Sequence, residues 1–344
     1  MGVNIADLLE SKEIELDELR DKIIAVDAHL FLYQFLTTIR QRDGSLLMDS
    51  KGRVTSHLSG LFYRTIKLAE YGMKQAYVFD GKAPALKEKE RTRRKVHKED
   101  AAQKYEKAVA EENIDNMKRY AAQTTRLTSE MIAEAKHLLH AMGIPIIEAP
   151  SEGEAQAAYM VKTGKAYAVA SQDADALLFG CPRLVRNLSF AGKRKKANKL
   201  AFEAVKPEMV TLTETLTHLG LSQEQLIVLG ILVGTDFNHG GIHGIGPKNA
   251  VKLLHKFGSD FEMLFDEVKW KDQFDTPWQE IYQIFREIPV SDDVRLEWRS
   301  VDDEGVRKIL IDEHSFERER VDSILGHFKM EQKKKTQKGL GDYF

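Results

Sequence analysis

Cysteine is almost absent from the chain: Cys181 is the single one among 344 residues. One thiol excludes an intrachain disulfide and any thiolate metal cluster, and the expectation is a reducing, intracellular compartment. Long apolar runs are also missing. None approaches the roughly 20 residues of a membrane-spanning helix, and the first residues lack the charged start and apolar segment of a secretory leader. No membrane partner is expected. A large excess of one charge sign is lacking too, since the formal net charge is -2. That balance hides separated patches. From Lys82 to Lys98, eight basic residues (Lys82, Lys87, Lys89, Arg91, Arg93, Arg94, Lys95 and Lys98) stand against Glu88 and Glu90.

What is present is enough apolar material for a large core, 42% of the residues, in one big domain or two smaller ones. Short apolar runs between helical patterns read as strands of a parallel sheet buried on both faces. Three of them lead directly to aspartate. Ile23–Val26 is followed by Asp27, Ala76–Phe79 by Asp80, and Ala166–Ala170 by Asp173 and Asp175. In open parallel sheets the ligand crevice lies at the carboxyl ends of the strands, so these acids are predicted to share one edge. Any one Asp is explained equally well as a turn former or helix N-cap. Four at corresponding places imply a cation-binding cluster, because like charges gathered together repel.

The stretch Ala149–Tyr159 adds Glu152 and Glu154 at a helix start beyond Pro150. Ser151 and Glu154 alone read as a capping box, which leaves Glu152 unexplained. The alternative is that both acids face the aspartates.

Other stretches carry weaker signals. Residues 5–22 show a weakly amphipathic helical pattern, and Leu30–Leu36 is apolar enough for a buried helix. Leu46, Leu47 and Met48 lie beside a polar loop; two of the three are expected in the core, the alternative being a wedge against a base pair. His57–Tyr71 and Met131–Met142 read as helices. Residues 82–130 are densely charged and interrupt a βαβ pattern, which suggests a helical insertion above the carboxyl edge. Its basic run is a solvated helix face or a phosphate contact. Lys193-Arg194-Lys195-Lys196 reads as a basic turn, a hairpin tip or a second phosphate contact. Between two helical patterns, Gly244-Ile-Gly246 with Lys248 resembles a helix–hairpin–helix element, whose open backbone approaches phosphates. Near the end, Gln337, Leu340, Tyr343 and Phe344 form a pattern that a disordered tail does not need and a partner groove does.

Together, Val26-Asp27-Ala28, Val78–Gly81, Ser151–Ala157, Ser171–Asp175, Val233–Asp236 and Gly244–Gly246 resemble the flap endonuclease family of structure-specific 5′ nucleases, in its archaeal form, along essentially the whole chain. The resemblance implies an α/β fold: a mostly parallel twisted central sheet with helices on both faces, a helical arch and a helix–hairpin–helix element. It implies a nuclease domain over 1–330, with the arch at 81–130 and the helix–hairpin–helix region at 223–258. A flexible tail over 331–344 would bind the sliding clamp (PCNA) through Gln337, Leu340, Tyr343 and Phe344.

By position, the family's divalent-metal carboxylates would be Asp27, Asp80, Glu152, Glu154, Asp173, Asp175 and Asp236. Lys87 and Arg94 match its basic pair on the arch, Tyr33 its aromatic near the scissile nucleotide, and the loop at Gly244–Gly246 its potassium-assisted duplex contact. Arg91, Arg93, Lys193, Arg194 and Lys248 are further candidate DNA contacts. The family's hydrophobic wedge falls between the first two acids, which favours the wedge reading for some of Leu46–Met48. His29 departs from the pattern, where a small residue is common. The absence of a long basic tail after Phe344 suggests an archaeal cytoplasm, and a monomer is expected.

The chemistry implied is hydrolysis of a phosphodiester in branched DNA with a 5′ flap. Oxygen ligands suit two Mg²⁺ ions, with Mn²⁺ as a substitute. Two other readings remain open: a metal-dependent phosphatase or ribonuclease on a similar sheet, and a DNA-bound adaptor without catalysis.

Overall fold

The structure is a computed structural model that describes residues 2–41, 43–87, 125–190, 192–195 and 202–341, of which 190, 192–195, 202–204 and 330–341 are described as backbone only. Seven strands form the main sheet: β1 (Ser11–Glu13), β2 (Ile23–Asp27), β3 (Lys74–Phe79), β4 (Ile146–Glu148), β5 (Ala168–Ala170), β6 (Arg183–Arg186) and β9 (Glu208–Thr211). Between the last two in sequence, β7 (Gly192–Lys195) and β8 (Phe202–Val205) pair as a separate antiparallel ribbon. The spatial order is β1-β9-β6-β5-β2-β3-β4. β6, β5, β2, β3 and β4 run parallel, while β9 is antiparallel to its neighbours β6 and β1.

Twelve α-helices are described: α1 (Ala28–Thr38), α2 (Ser56–Glu70), α3 (Ser129–Ala141), α4 (Gly153–Lys162), α5 (Asp175–Leu178), α6 (Leu212–Leu219), α7 (Gln223–Val233), α8 (Pro247–Phe257), α9 (Phe261–Glu267), α10 (Trp278–Glu287), α11 (Asp303–Arg307) and α12 (Arg318–Gly341). The alternation of strand residues sorts them into two cores. Ile24, Val26, Tyr77, Phe79, Ala168 and Ala170 face α1, α2, α3, α11 and α12. Ala25, Ala76, Val78 and Val169 face α4, α5, α7, α8, α9 and α10. Both faces of the central strands are therefore covered, which is why they read as unbroken apolar runs. The chain steps from β2 to β3 and β4 on one side, then crosses to β5 and β6 on the other. The reversal falls between β2 and β5, where parallel sheets open a crevice.

Several expectations need correction. Residues 5–22 do not form a helix. Ala6–Leu8 and Leu16–Leu19 are 3₁₀ turns flanking β1, and β1 satisfies its backbone by pairing with β9, a partner that local periodicity does not reveal. Lys193, Arg194 and Lys195 lie on β7, a ribbon strand and not a turn. Neither Leu46 nor Leu47 is buried, both being half-exposed, and Met48 is 52% exposed. Residues 331–341 continue α12 and are not separate from it, in keeping with the helix propensity of Glu, Gln and Lys. Arg91, Arg93 and Arg94 of the expected arch, and Tyr343 and Phe344 of the tail, lie outside the described residues.

α1 and α2 pack so closely that Gly60 has no room for a side chain: a Cβ there would lie 2.2 Å from Cγ of Phe35. An exposed helical Gly→Ala change stabilises by up to about 1 kcal/mol. Here the sign reverses, and Gly60→Ala is expected to lose about 1–3 kcal/mol through overpacking. Urea denaturation measures it; a gain in stability would contradict the packing described.

Candidate active site

The carboxyl ends of β5, β2 and β3 are adjacent, and each delivers acid. Asp27 closes β2 and caps α1, its carboxylate accepting the Leu30 N–H at 3.0 Å. Asp80 follows β3 and accepts the Gly153 N–H at 2.7 Å. Only glycine permits that approach, because a Cβ at Gly153 would stand 2.8 Å from Asp80 Oδ1. β4 leads into α4, whose N-cap is Glu152 and whose first turn holds Glu154. The capping-box reading of Ser151 fails: no side chain caps this helix, and Ser151 Oγ donates instead to the Lys82 carbonyl at 3.0 Å. Both glutamates face the edge. Asp173 and Asp175 follow β5, and Asp236 lies just beyond α7.

Ser171 ties the cluster together. It lies within hydrogen-bond reach of Glu154 Oε1 at 2.9 Å and of Asp27 Oδ2 at 3.3 Å, while its Oγ accepts the Asp173 N–H at 3.2 Å. A hydroxyl has one hydrogen to give, so these two carboxylates are served by a single Ser171 donor. Asp175 accepts the backbone N–H of Val3 at 2.6 Å, which pins the N-terminal segment against the site.

Cationic partners enter from two places. Lys87 Nζ lies 2.5 Å from Glu152 Oε2 and 3.4 Å from Asp236 Oδ2. His29 Nδ1 hydrogen-bonds Asp80 Oδ2, with its ring edge-on to Phe79. Burial pushes the Lys87 ammonium down, but the charges of Glu152 and Asp236 outweigh it and hold the group above its usual range. Likewise burial opposes the Asp80 carboxylate and His29 wins, leaving Asp80 below its ordinary value.

The remaining acids behave oppositely. Burial, then repulsion from Asp80, pushes Asp27 up to about 7. Burial and Asp173 push Asp175 up to about 7. Burial followed by Asp175 and Asp27 raises Glu154 well above its usual range. Burial also raises Glu152, though Lys87 opposes it. The edge thus contains carboxylates that reject one another in the absence of added positive charge.

All seven predicted acids and Lys87 come to this edge. Tyr33 lies half-buried on α1, whose first turn holds the Asp27 cap. Gly244 and Gly246 lie before α8, with Gly246 as its N-cap and Lys248 exposed in its first turn. Among the described residues, chain neighbours apart, no atom comes within 4 Å of a Cβ built at either glycine, so packing there demands neither, and the bare backbone faces outward. The sequence reading assigned no role to Ser171, Gly153 or the Val3 amide. Ser171 and Gly153 stood inside quoted motifs, and His29 stood out only as a departure.

Comparison with known proteins accords with this geometry. The XPG N-terminal domain matches residues 1–101 and the XPG I-region matches residues 143–236. The chain is 50% identical to Flap endonuclease 1 of Pyrococcus abyssi over 344 residues, covering 100% of this chain and 98% of that one. It is 50% identical to Flap endonuclease 1 of Staphylothermus marinus over 325 residues, 93% of this chain and 92% of the other. Among solved structures, flap endonuclease-1 from Methanococcus jannaschii superposes with a TM-score of 0.76 at 40% identity, covering 97% of this chain and 100% of that one. Since half of all residues are shared with full-length relatives and the fold matches a solved one end to end, the chain belongs to the flap endonuclease family.

Proposed function

We propose that the carboxylate edge hydrolyses phosphodiesters in DNA at the junction of a 5′ single strand with a duplex, as a 5′ flap endonuclease and 5′-3′ exonuclease of replication, including Okazaki fragment processing, and of repair. The observation that carries this reading is the adjacency of β5, β2 and β3, which converts dispersed acids into one polyanionic edge. Such an edge repels a phosphate backbone unless cations intervene.

The donor set fits hard divalent ions, being oxygen throughout apart from His29. Among the described residues no three His, Cys, Asp or Glu side chains are arranged to enclose one ion, so Asp27, Asp80, Glu152, Glu154, Asp173, Asp175 and Asp236 would hold Mg²⁺ largely through its retained waters. Two such ions, when bound, supply the Lewis acidity that activates water and stabilises a departing 3′ oxygen.

The rest is done by the chain. Lys87, kept cationic by its acid partners, offers charge for the scissile phosphate. Ser171 and the Gly153, Leu30 and Val3 amides hold the carboxylates in place. Gly244 and Gly246, with Lys248, present an open backbone and a helix N-terminus suited to duplex phosphates, with K⁺ as a bridging ion. Exposed Met48 and half-exposed Leu47 are the proposed wedge against the terminal base pair. Residues 81–130 are the proposed arch, with Arg91, Arg93 and Arg94 as further phosphate contacts. Gln337, Leu340, Tyr343 and Phe344 are the proposed sliding-clamp motif of a monomeric enzyme in an archaeal cytoplasm.

A labelled double-flap DNA tests the central claim. Incision at the flap junction is expected in Mg²⁺ and absent in chelator. Asp175→Ala should lower the rate by about 100-fold or more while DNA binding persists, and Lys87→Ala should lower single-turnover rate by about 10²–10³-fold. Binding without incision in Mg²⁺ or Mn²⁺ would remove the nuclease reading.

A second test reads the buried charge directly. Asp175, raised above its unfolded value, contributes stability that is present below about pH 4 and lost as pH rises through about 7. In chelator, the melting temperature of the wild type relative to Asp175→Asn is therefore expected to fall between pH 4 and pH 8, with Mg²⁺ reversing the difference at the upper end. A pH-independent difference would show that Asp175 is not buried among like charges.

A further inference from the structure

A second set of titratable groups, running from wholly buried His57 through half-buried Glu134 to exposed Arg53, collects away from the carboxylate edge, where the loop between α1 and α2 meets the turn before α12. The Asp49 side chain is fully buried there and accepts the backbone N–H groups of Lys51 and Arg53, each at 2.9 Å, and Arg53 Nε at 2.8 Å. Arg53 Nη2, which also lies 2.8 Å from Asp49 Oδ2, reaches across to the Glu313 carbonyl. His314, 3% exposed, stands between two acids, with Nδ1 3.6 Å from Asp49 and Nε2 3.6 Å from Glu134 of α3. The other oxygen of Glu134 meets Nε2 of His57, a wholly buried residue in the first turn of α2, at 2.9 Å. Ser50 and Ser315 close the junction with a hydroxyl pair at 2.7 Å. Ser315 is held at φ +57°, a left-handed conformation that a non-glycine residue adopts at a cost.

Two carboxylates, two imidazoles and a guanidinium are an expensive way to seat a surface loop. Apolar residues of the same volume would hold it at least as firmly, whereas polar contacts fix one geometry. Here Asp49 is fully engaged by Arg53 and two backbone amides, while Nδ1 of His57 and of His314 are buried without a hydrogen-bond partner among the described residues. The loop so fixed carries little core of its own. Its tip carries half-exposed Leu46 and Leu47 and exposed Met48, clipped into a small hairpin by bridges from Arg40 to Leu46 and Met48 to Val54. It follows α1, which begins at the Asp27 cap and, at 11 residues, spans about 16 Å. Asp27 and Tyr33 therefore lie along a single rigid rod that ends at the loop, and the polar network anchors the far end of that rod to α2, α3 and the turn before α12.

We infer that Asp49, Arg53, His57, Glu134 and His314 form a polar latch that fixes Met48 relative to the carboxylate edge, and thereby selects which phosphodiester is cut. This rests on the proposed wedge role of Leu47 and Met48. None of the five touches the acids of the site, so they are positioning residues: they act through the loop.

The experiment maps incision at single-nucleotide resolution on a double-flap DNA, together with the summed single-turnover rate and the melting temperature. Glu134→Gln, which keeps the shape, and His314→Phe, which removes the link between Asp49 and Glu134, should leave the summed rate within a few-fold of wild type. The ratio of main to neighbouring products should fall about tenfold, since displacement on the order of one ångström suffices for such a loss. His314→Gln, which restores polar contact, should recover the wild-type distribution, a rescue that simple packing does not predict. Met48→Ser is the control. If it shifts the product distribution while folded Glu134→Gln and His314→Phe do not, the latch is wrong and the wedge stands. If Met48→Ser also leaves the distribution unchanged, the wedge reading fails and the latch falls with it.

Discussion

Carboxylates crowded at the end of a parallel sheet repel in a medium of low dielectric, and most of this structure answers that repulsion. Backbone amides do part of it. Leu30 at the start of α1 donates to Asp27, Gly153 at the start of α4 donates to Asp80, and Val3 donates to Asp175. The positive ends of two helices thus face the acids, as the helix dipole favours. These donors are useful only if the strands cannot shift, and β2 cannot: it is hydrogen-bonded on both edges and covered on both faces by separate cores. The rigidity of the sheet and the electrostatics of the site are one requirement.

The same edge connects the parts proposed to handle DNA. Asp236 shares Lys87 with Glu152 and sits between the end of α7 and the loop that opens α8. A backbone surface built to accept phosphate at Gly246 is therefore tethered to an acid of the site. On the other side, α1 runs from Asp27 past Tyr33 to the loop bearing Met48. The proposed duplex holding, chemistry and strand opening all fall on elements that begin or end at the carboxylates, and on that proposal specificity for a junction follows from fixed lengths along the scaffold and needs no reading of bases.

Much of this was legible in the sequence because the physics is local. A strand buried on both faces must be apolar throughout, and an acid directly after it must lie at the carboxyl edge; Asp27, Asp80, Asp173 and Asp175 follow from those two rules. What escaped reading depends on partners distant in sequence. Pairing with β9 makes Ser11–Glu13 a strand where a helix was expected, and pairing with β8 makes Lys193–Lys195 a strand where a turn was expected. His29 against Asp80, and His57 and His314 against Glu134, are contacts that no spacing rule connects. The Leu46–Met48 run was misread as mostly core because hydrophobicity was taken for burial. A loop held by polar contacts, from buried Asp49 and His314 outward to exposed Arg53, can leave its apolar residues outside.

Six of the seven acids of the site divide into two groups, and the division bears on where external charge is needed. Asp80, Glu152 and Asp236 face side chains able to carry positive charge, His29 and Lys87. At Asp27, Glu154 and Asp175, burial and mutual repulsion dominate and the protonated forms are favoured. The first group lies towards β3 and β4 and the second flanks β2 and β5. The unmet demand for cations is therefore concentrated at the crevice where the strand order reverses, which is also where a parallel sheet admits a ligand. If divalent ions neutralised that crevice, Lys87 on its other flank would be a positive charge of the chain's own, among the described residues, beside it. A phosphate entering there would meet positive charge from two sides, one supplied by the bound ions and one by the chain.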